Sequence, residues 1–256
     1  MPSECDRLQR LLGLIDLTSL NEDDSPERIE VLCRMAAGPF GPPAALCIYP
    51  EYVLLARRTL DALGLEAVAV VSVANFPDGG ADVDRVTRAC RRLRAAGADE
   101  VDVVLPYRSL KAGDLQTYRR VAHAAREVTG DGVLKCILET GLLDDGEIDQ
   151  AIAIALDAGA DFIKTSTGKA AAHASPEAAE RMLRAVRDCG RPAGVKVAGG
   201  IRTVEQALGY LAQAERVLGA AQVDARRFRI GASALFDAVL AELGGVRSAD
   251  AAREGY

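Results

Sequence analysis

Apolar residues in this chain come in short runs, each followed by a longer stretch in which they recur at helical spacing. The alternation continues from one end to the other. After an amphipathic N-terminal helix it predicts strands at 13–17, 44–49, 67–74, 100–105, 133–139, 162–166, 194–198 and 229–231. Helices are predicted at 26–37, 51–62, 82–96, 114–129, 144–157, 176–189, 203–212 and 233–243. Ser25-Pro26 and Ser175-Pro176 pair a hydroxyl that can accept an orphan amide with a proline in the first turn. Gly64, Gly97 and Gly159 stand where a left-handed residue closes a helix. No linker, low-complexity tract or composition break divides the series. The expectation is an α/β fold, a single (β/α)8 TIM barrel spanning 1–256, with a short N-terminal helix and a polar, flexible tail at 245–256.

Composition narrows the function classes. Apolar residues make up 49% of the 256 positions, enough to fill a barrel and its outer layer. A net charge of -6 leaves no dominant basic face for nucleic acid, so any phosphate must be held locally. The six cysteines lack CxxC spacing and read as reduced core thiols. The opening residues carry neither a basic nor an apolar leader pattern, and no apolar run reaches the ~18 residues of a membrane span, so a soluble cytoplasmic protein is expected.

The alternation of strand side chains then places charge inside the barrel. In the fourth strand Val101, Val103 and Leu105 face the helices, leaving Glu100, Asp102 and Val104 inward. In the sixth, Lys164 faces inward with Phe162 and Ser166; in the seventh, Lys196 does so between Gly194 and Ala198. The first and fifth strands add Asp16 and Lys135. Five ionisable groups, Asp16, Asp102, Lys135, Lys164 and Lys196, thus share one enclosed volume. A buried salt-bridge network without chemistry is the competing reading. Their place at the C-terminal strand ends, where this fold carries active sites, favours a site. Adjacent strands lie about 4.8 Å apart, so the Lys164 and Lys196 amines come close. Two such ammonium groups repel, and one is expected to lose its proton near neutral pH and act as a nucleophile toward carbonyls. Asp102 supplies a carboxylate to pair with the remaining charge and pass protons.

Gly199-Gly200 follows the seventh strand and Gly231-Ala232-Ser233 the eighth, the loops that hold phosphate in this fold, with Lys169 beside them. The expected substrate is a small sugar phosphate whose carbonyl reaches Lys164.

These segments resemble the deoxyribose-phosphate aldolase family of class I aldolases. The resemblance is carried by Asp16-Leu17-Thr18-Ser19-Leu20, Cys47-Ile48-Tyr49-Pro50, Asn75-Phe76-Pro77, Glu100 through Val104, Glu139-Thr140-Gly141, Asp161 through Lys169, and Lys196 through Ile201. It implies reversible cleavage of 2-deoxy-D-ribose 5-phosphate to D-glyceraldehyde 3-phosphate and acetaldehyde, without metal or other cofactor, in deoxyribonucleoside breakdown, by a homodimer. It further implies that Lys164 forms the imine, Lys196 lowers the amine pKa of Lys164, and Asp102 carries protons with an ordered water. Lys169, Gly199, Gly200, Gly231 and Ser233 would hold the phosphate. Asp16, Cys47, Lys135 and Thr165 would line the site.

Two departures stand out. Ser233-Ala234 replaces the paired serines of many members, removing one hydroxyl from the phosphate end, and Val197 stands where many carry proline. The chain ends in Tyr256; some members end in a tyrosine that assists proton transfer, and the same is expected here if the tail reaches the site. Cys47 sits on the inward row of its strand, and if its thiol opens onto the site an unsaturated aldehyde could add to it. His123 and His173 fall outside the strands and suggest no metal pair. Another class I aldolase or a transaldolase-like enzyme with a ketose donor is the alternative activity. A sugar-phosphate binder that makes no imine is the non-enzymatic one.

Overall fold

The computed structural model describes residues 3–171 and 173–254. Its elements are, in order, α1 (Glu4–Leu12), β1 (Ile15–Thr18), α2 (Pro26–Ala36), β2 (Ala45–Ile48), α3 (Val53–Ala62), β3 (Ala69–Ala74), α4 (Val83–Ala95), β4 (Glu100–Val104), α5 (Tyr107–Lys111), α6 (Leu115–Thr129), β5 (Val133–Ile137), α7 (Asp145–Asp157), β6 (Phe162–Lys164), α8 (Pro176–Asp188), β7 (Gly194–Ala198), α9 (Val204–Leu218), β8 (Phe228–Ala232) and α10 (Ala234–Glu254). The eight strands run parallel and close on themselves in sequence order, β8 pairing with β1, so the predicted TIM barrel is the fold.

The helix signals act as expected. Ser25 and Ser175 accept from the amides of Arg28 and Ala178, each ahead of a first-turn proline. Gly64, Gly97 and Gly159 have φ of +70°, +96° and +88°. Most strand bounds shift by one or two residues, and three larger differences have local reasons. Residues 13–14 turn out of α1, with the Gly13 amide on the Gln9 carbonyl and that of Leu14 on Leu11, so β1 starts at Ile15. Helix α9 continues six residues past the predicted end to Leu218, because helix-forming residues run on until Gly219, at φ +89°. Helix α10 passes through Gly244 and Gly245 and runs to Glu254, into the segment expected to be a tail. Two glycines cost about 1 kcal/mol each in a helix, too little to stop it when good formers follow. Tyr256 lies outside the described residues.

Side chains on the helix-facing side of the strands join those of the helices in one continuous apolar layer, which includes Leu46, Val101, Val103, Ile163, Val195 and Val197. Inside the barrel the walls differ. The β2–β3 side is apolar, with Ala45, Cys47, Val71 and Val73 packed under Leu20. The rest of the wall, β4–β8 and β1, carries charge, with Glu100, Asp102, Lys135, Lys164, Lys196, Arg229 and Asp16 all buried. Phe162 lies beneath this charge, its ring 5.7 Å from both Lys135 Nζ and the Arg229 guanidinium. Gly194 makes room for that ring: a Cβ there would stand 2.6 Å from Phe162 Cδ1 and 2.9 Å from the Arg227 carbonyl. Gly194→Ala is therefore expected to lower stability by about 1–3 kcal/mol through overpacking, measured by urea unfolding; a variant as stable as the parent would show that the ring has somewhere else to go.

Candidate active site

Strand register sets inward charges side by side on neighbouring strands. Asp102 of β4 stands opposite Lys135 of β5, Lys164 of β6 opposite Lys196 of β7, and Lys196 opposite Arg229 of β8. Asp102 is the meeting point. Its Oδ2 accepts from Lys164 Nζ at 2.9 Å and from Lys196 Nζ at 2.8 Å, while its Oδ1 lies 3.1 Å from Lys135 Nζ. Asp16 adds a second bridge, with Oδ2 2.6 Å from Lys196 Nζ and Oδ1 2.6 Å from Arg229 Nη1. Glu100 joins Lys135 to Arg229, accepting from both. Four cations and three carboxylates therefore form one connected cluster: Lys135, Lys164, Lys196 and Arg229 with Asp16, Glu100 and Asp102.

Burial opposes each charge, and the opposite charges win. For Asp102 burial pushes the pKa up, but Lys135, Lys164 and Lys196 outweigh it and hold the carboxyl well below the usual range. For Lys196 burial pushes the other way, and Asp102 with Asp16 raises the amine well above the ordinary lysine value. Lys135 is raised in the same manner, against its burial, by Asp102, Glu100 and Asp16. Lys196, gripped by two carboxylates, is thus a fixed ammonium. The expectation that two neighbouring lysines meet as bare charges omitted the carboxylate oxygen that lies between them.

Lys164 is the member of the cluster that reaches open space. It lines a cavity of about 220 Å³ at the C-terminal strand ends. Lys169, Gly199, Gly200, Gly231 and Ser233, expected at the phosphate end, line the same cavity. Gly199 and Gly200 have φ of +96° and +78°, a backbone that L side chains rarely adopt, and His173 packs behind them where a Cβ would go. Lys169 Nζ donates to the Leu20 carbonyl at 2.6 Å, which ties the loop after β6 to the loop after β1. Gly231 has a further reason to be glycine. A Cβ there would lie 2.9 Å from Lys196 Cε and 3.1 Å from the Ala198 Cβ, so its absence lets Lys196 pass to Asp102.

Four expected lining residues sit elsewhere. Asp16 and Lys135 are fully buried beneath the cavity, as members of the cluster. Cys47 is fully buried in the apolar wall, where burial raises its thiol pKa, and it does not line the cavity. Thr165 turns toward β7, its Oγ1 donating to the Ala198 carbonyl and accepting from the Ala198 amide, because the chain leaves β6 after Lys164.

Two members of the cluster were missed as site residues. Glu100 was read as inward yet not counted with the charges. Arg229 was overlooked although the same alternation in β8, with Phe228 and Ile230 outward, points it inward. Arg202, which lines the cavity mouth, was missed as well. Glu139 is buried and left-handed at φ +59°, and its carboxylate accepts from the Thr167 amide, which fixes the turn between Lys164 and Lys169.

A larger groove of about 740 Å³ lies across Gly199 and Gly200, between α8 and α9. Several of its polar groups are engaged by their own surroundings: Tyr210 donates to the Ala174 carbonyl, Gln213 to that of Pro176, and Gln206 caps α9. Among the described residues no group of three or more His, Cys, Asp or Glu is arranged to hold a metal ion, and no helix is long and apolar enough to cross a membrane.

A sequence model of the DeoC/LacD aldolase family matches residues 10–238. Among solved structures, a protein assigned as a deoxyribose-phosphate aldolase from Coccidioides immitis is similar at 30% identity and a TM-score of 0.77, over 90% of this chain and 85% of that one. The tetrameric deoxyribose phosphate aldolase of Aeropyrum pernix is similar at 28% identity and a TM-score of 0.72, over 96% of this chain and 100% of that one. A protein assigned to the same activity from Toxoplasma gondii ME49 shares the fold at a TM-score of 0.84 and 23% identity, over 94% of each chain.

Replacing Asp102 by Asn would leave the buried cations with two carboxylates. The expected loss is about 3–5 kcal/mol at pH 7. Because the Asp102 pKa is depressed in the folded state, its contribution is complete above the unfolded value of about 3.9 and is lost as pH falls through the folded value. The stability gap between parent and Asp102→Asn should hold from pH 7 to about pH 4 and narrow below it. Denaturant titrations across that range check this, and a gap that widens on acidification would contradict it.

Proposed function

The chain belongs to the DeoC/LacD family of aldolases, and we propose that it reversibly cleaves 2-deoxy-D-ribose 5-phosphate to D-glyceraldehyde 3-phosphate and acetaldehyde through an imine on Lys164. The observation that carries this reading is the position of Lys164. It is the cluster amine that lines the cavity, and it shares one Asp102 oxygen with a lysine held in the charged form.

Imine formation needs Lys164 as the free amine. Four cations share three carboxylates, so release of one proton brings the cluster to neutrality. Lys196 is in contact with two carboxylates and Lys164 with one. The Lys164 amine attacks the C1 aldehyde of the open-chain sugar, and loss of water gives a protonated imine. The C2–C3 bond then breaks and its electron pair passes into the imine, forming an enamine. The C3 hydroxyl gives up its proton and becomes the aldehyde of glyceraldehyde 3-phosphate. Asp102, acting through a water, is the base suited to that proton and the source of the proton returned to the enamine carbon. Hydrolysis frees acetaldehyde and restores the amine. The covalent lysine adduct supplies the electron sink, so the proposed reaction uses no metal or other cofactor.

At the other end of the cavity, the amides around Gly199, Gly200 and Gly231, the Ser233 hydroxyl and the Lys169 ammonium suit the 5-phosphate, with the first turn of α10 close by. Arg202 adds charge at the rim. Ala234 lines this end too, where a second serine would have offered a hydroxyl. Breakdown of deoxyribonucleosides in the cytoplasm is the setting that supplies such a substrate. The homodimer implied by the resemblance remains a proposal for this chain.

Borohydride reduction in the presence of acetaldehyde, followed by peptide mass mapping, tests the mechanism. An ethyl adduct is expected on Lys164 and should be absent in Lys164→Ala. An adduct formed with dihydroxyacetone phosphate and not with acetaldehyde would transfer the assignment to a ketose-donor aldolase. Sugar-phosphate binding with no adduct from either would point to a binder. For the phosphate end, Lys169→Ala is expected to raise KM for the phosphorylated sugar by about tenfold with a smaller change in kcat; an unchanged KM in steady-state assays would place the phosphate elsewhere.

A further inference from the structure

Arg229 is a buried cation that makes and breaks no bond in the reaction proposed above. It enters the barrel from β8, is 6% exposed, and divides its donors among three partners. Nη1 donates to Asp16 Oδ1 at 2.6 Å, Nη2 to Glu100 Oε1 at 3.1 Å, and Nε to the Ala225 carbonyl. Asp16 is divided in turn, with Oδ1 on Arg229 and Oδ2 2.6 Å from Lys196. Lys196 meets Asp102 Oδ2 at 2.8 Å, the same oxygen that Lys164 meets at 2.9 Å. A line of contacts alternating in sign therefore runs from Arg229 through Asp16, Lys196 and Asp102 to Lys164.

We infer that Arg229 is a positioning residue for the chemistry of Lys164: by holding one oxygen of Asp16 it keeps the other on Lys196, and it supplies the fourth cation against three carboxylates. The inference rests on the reading of Lys164 as the imine-forming lysine. A planar guanidinium suits this place because separate N–H groups of one rigid fork reach Asp16 on β1, Glu100 on β4 and the Ala225 carbonyl at once.

The effect on charge has a definite sign. The facing groups are Asp16 from β1, Cys47 from β2, Glu100 and Asp102 from β4, Lys135 from β5, Lys164 from β6 and Lys196 from β7. Strand β3 contributes apolar Val71 and Val73. Glu139 lies on the loop after β5, and Lys169 and Arg202 stand at the cavity mouth. With Arg229 present, release of a proton from Lys164 takes the cluster from one excess positive charge to none. Without Arg229 the protonated cluster is already neutral, and the same release leaves an excess negative charge. Removal of Arg229 must therefore oppose formation of the free amine, and burial leaves little salt screening to hide the effect. The acid limb of kcat/KM against pH should move to higher pH.

Three variants test this with 2-deoxy-D-ribose 5-phosphate as substrate. Arg229→Met is expected to lower kcat by about tenfold to a hundredfold with little change in KM, and to move the acid limb upward by about half a unit to one unit. The double variant Glu100→Gln with Arg229→Met removes one carboxylate with the cation, restores the surplus charge, and should return the acid limb to the parent position while kcat stays low. Arg229→Lys keeps the charge, so its limb should coincide with the parent's, with kcat reduced because the shorter lysine lacks the rigid fork that fixes Asp16, Glu100 and the Ala225 carbonyl together. A purely structural role would lower the unfolding temperature without moving the limb. An unmoved limb in folded Arg229→Met, or a displaced limb that the double variant does not restore, overturns the inference. Should Arg229→Met fail to fold, parent-like kcat in Arg229→Lys overturns it. Borohydride trapping on the same preparations separates the two readings. No Lys164 adduct in the parent overturns the imine assignment, whereas an adduct in the parent with unaltered Arg229→Met kinetics overturns the role of Arg229 alone.

Discussion

The interior of this barrel must hold four cations and three carboxylates out of water, and the rest of the structure answers to that requirement. An isolated charge at such depth would neutralise itself or unfold the protein. Here each carboxylate contacts at least two cations, and each cation except Lys164 contacts at least two carboxylates. Asp102 has the most demanding position, since three lysines converge on its two oxygens. Lys164 has one carboxylate and an opening to the cavity. The asymmetry that makes it the reactive amine of the proposal is thus a matter of how partners are shared, not of any feature of the lysine itself.

Packing supports this distribution. The apolar wall of β2 and β3 gives the ionic side a dry face to work against, and the Phe162 ring closes the space beneath Lys135 and Arg229. Two glycines provide clearance at the points of closest approach: Gly194 admits the ring, and Gly231 admits the Lys196 side chain on its way to Asp102. Gly231 also borders the cavity, so one residue serves both the buried cluster and the open end. Small changes of volume at either glycine would reach charges that have no solvent in which to relax.

Above the cluster, the site depends on loops tied to one another. Glu139 holds the Thr167 amide, Thr165 holds the backbone of Ala198, and Lys169 holds the carbonyl of Leu20. These contacts join the loops after β1, β5 and β6 to the end of β7. The amine and the glycine-lined end of the cavity are consequently set at a fixed separation, which is what a small substrate with a carbonyl at one end and a phosphate at the other requires.

The linear order of residues was enough to determine the barrel, its eight strands and the inward direction of Asp16, Asp102, Lys135, Lys164 and Lys196, because strand alternation and helical period are local properties. Family-like segments pointed to an aldolase for the same reason: Asp161 through Lys169 and Lys196 through Gly200 are contiguous. Tertiary structure decided the partners. That Asp102 Oδ2 lies between two lysines follows from barrel closure and register across β4, β6 and β7, which no single stretch of chain contains. Thr165 turned from the cavity to the backbone of Ala198 on β7, and Cys47 stayed buried in the apolar wall with Ala45, Val71 and Val73, placements set by neighbouring strands. Arg229 was legible as an inward residue and illegible as a partner of Asp16, since its role comes into being only where the last strand meets the first.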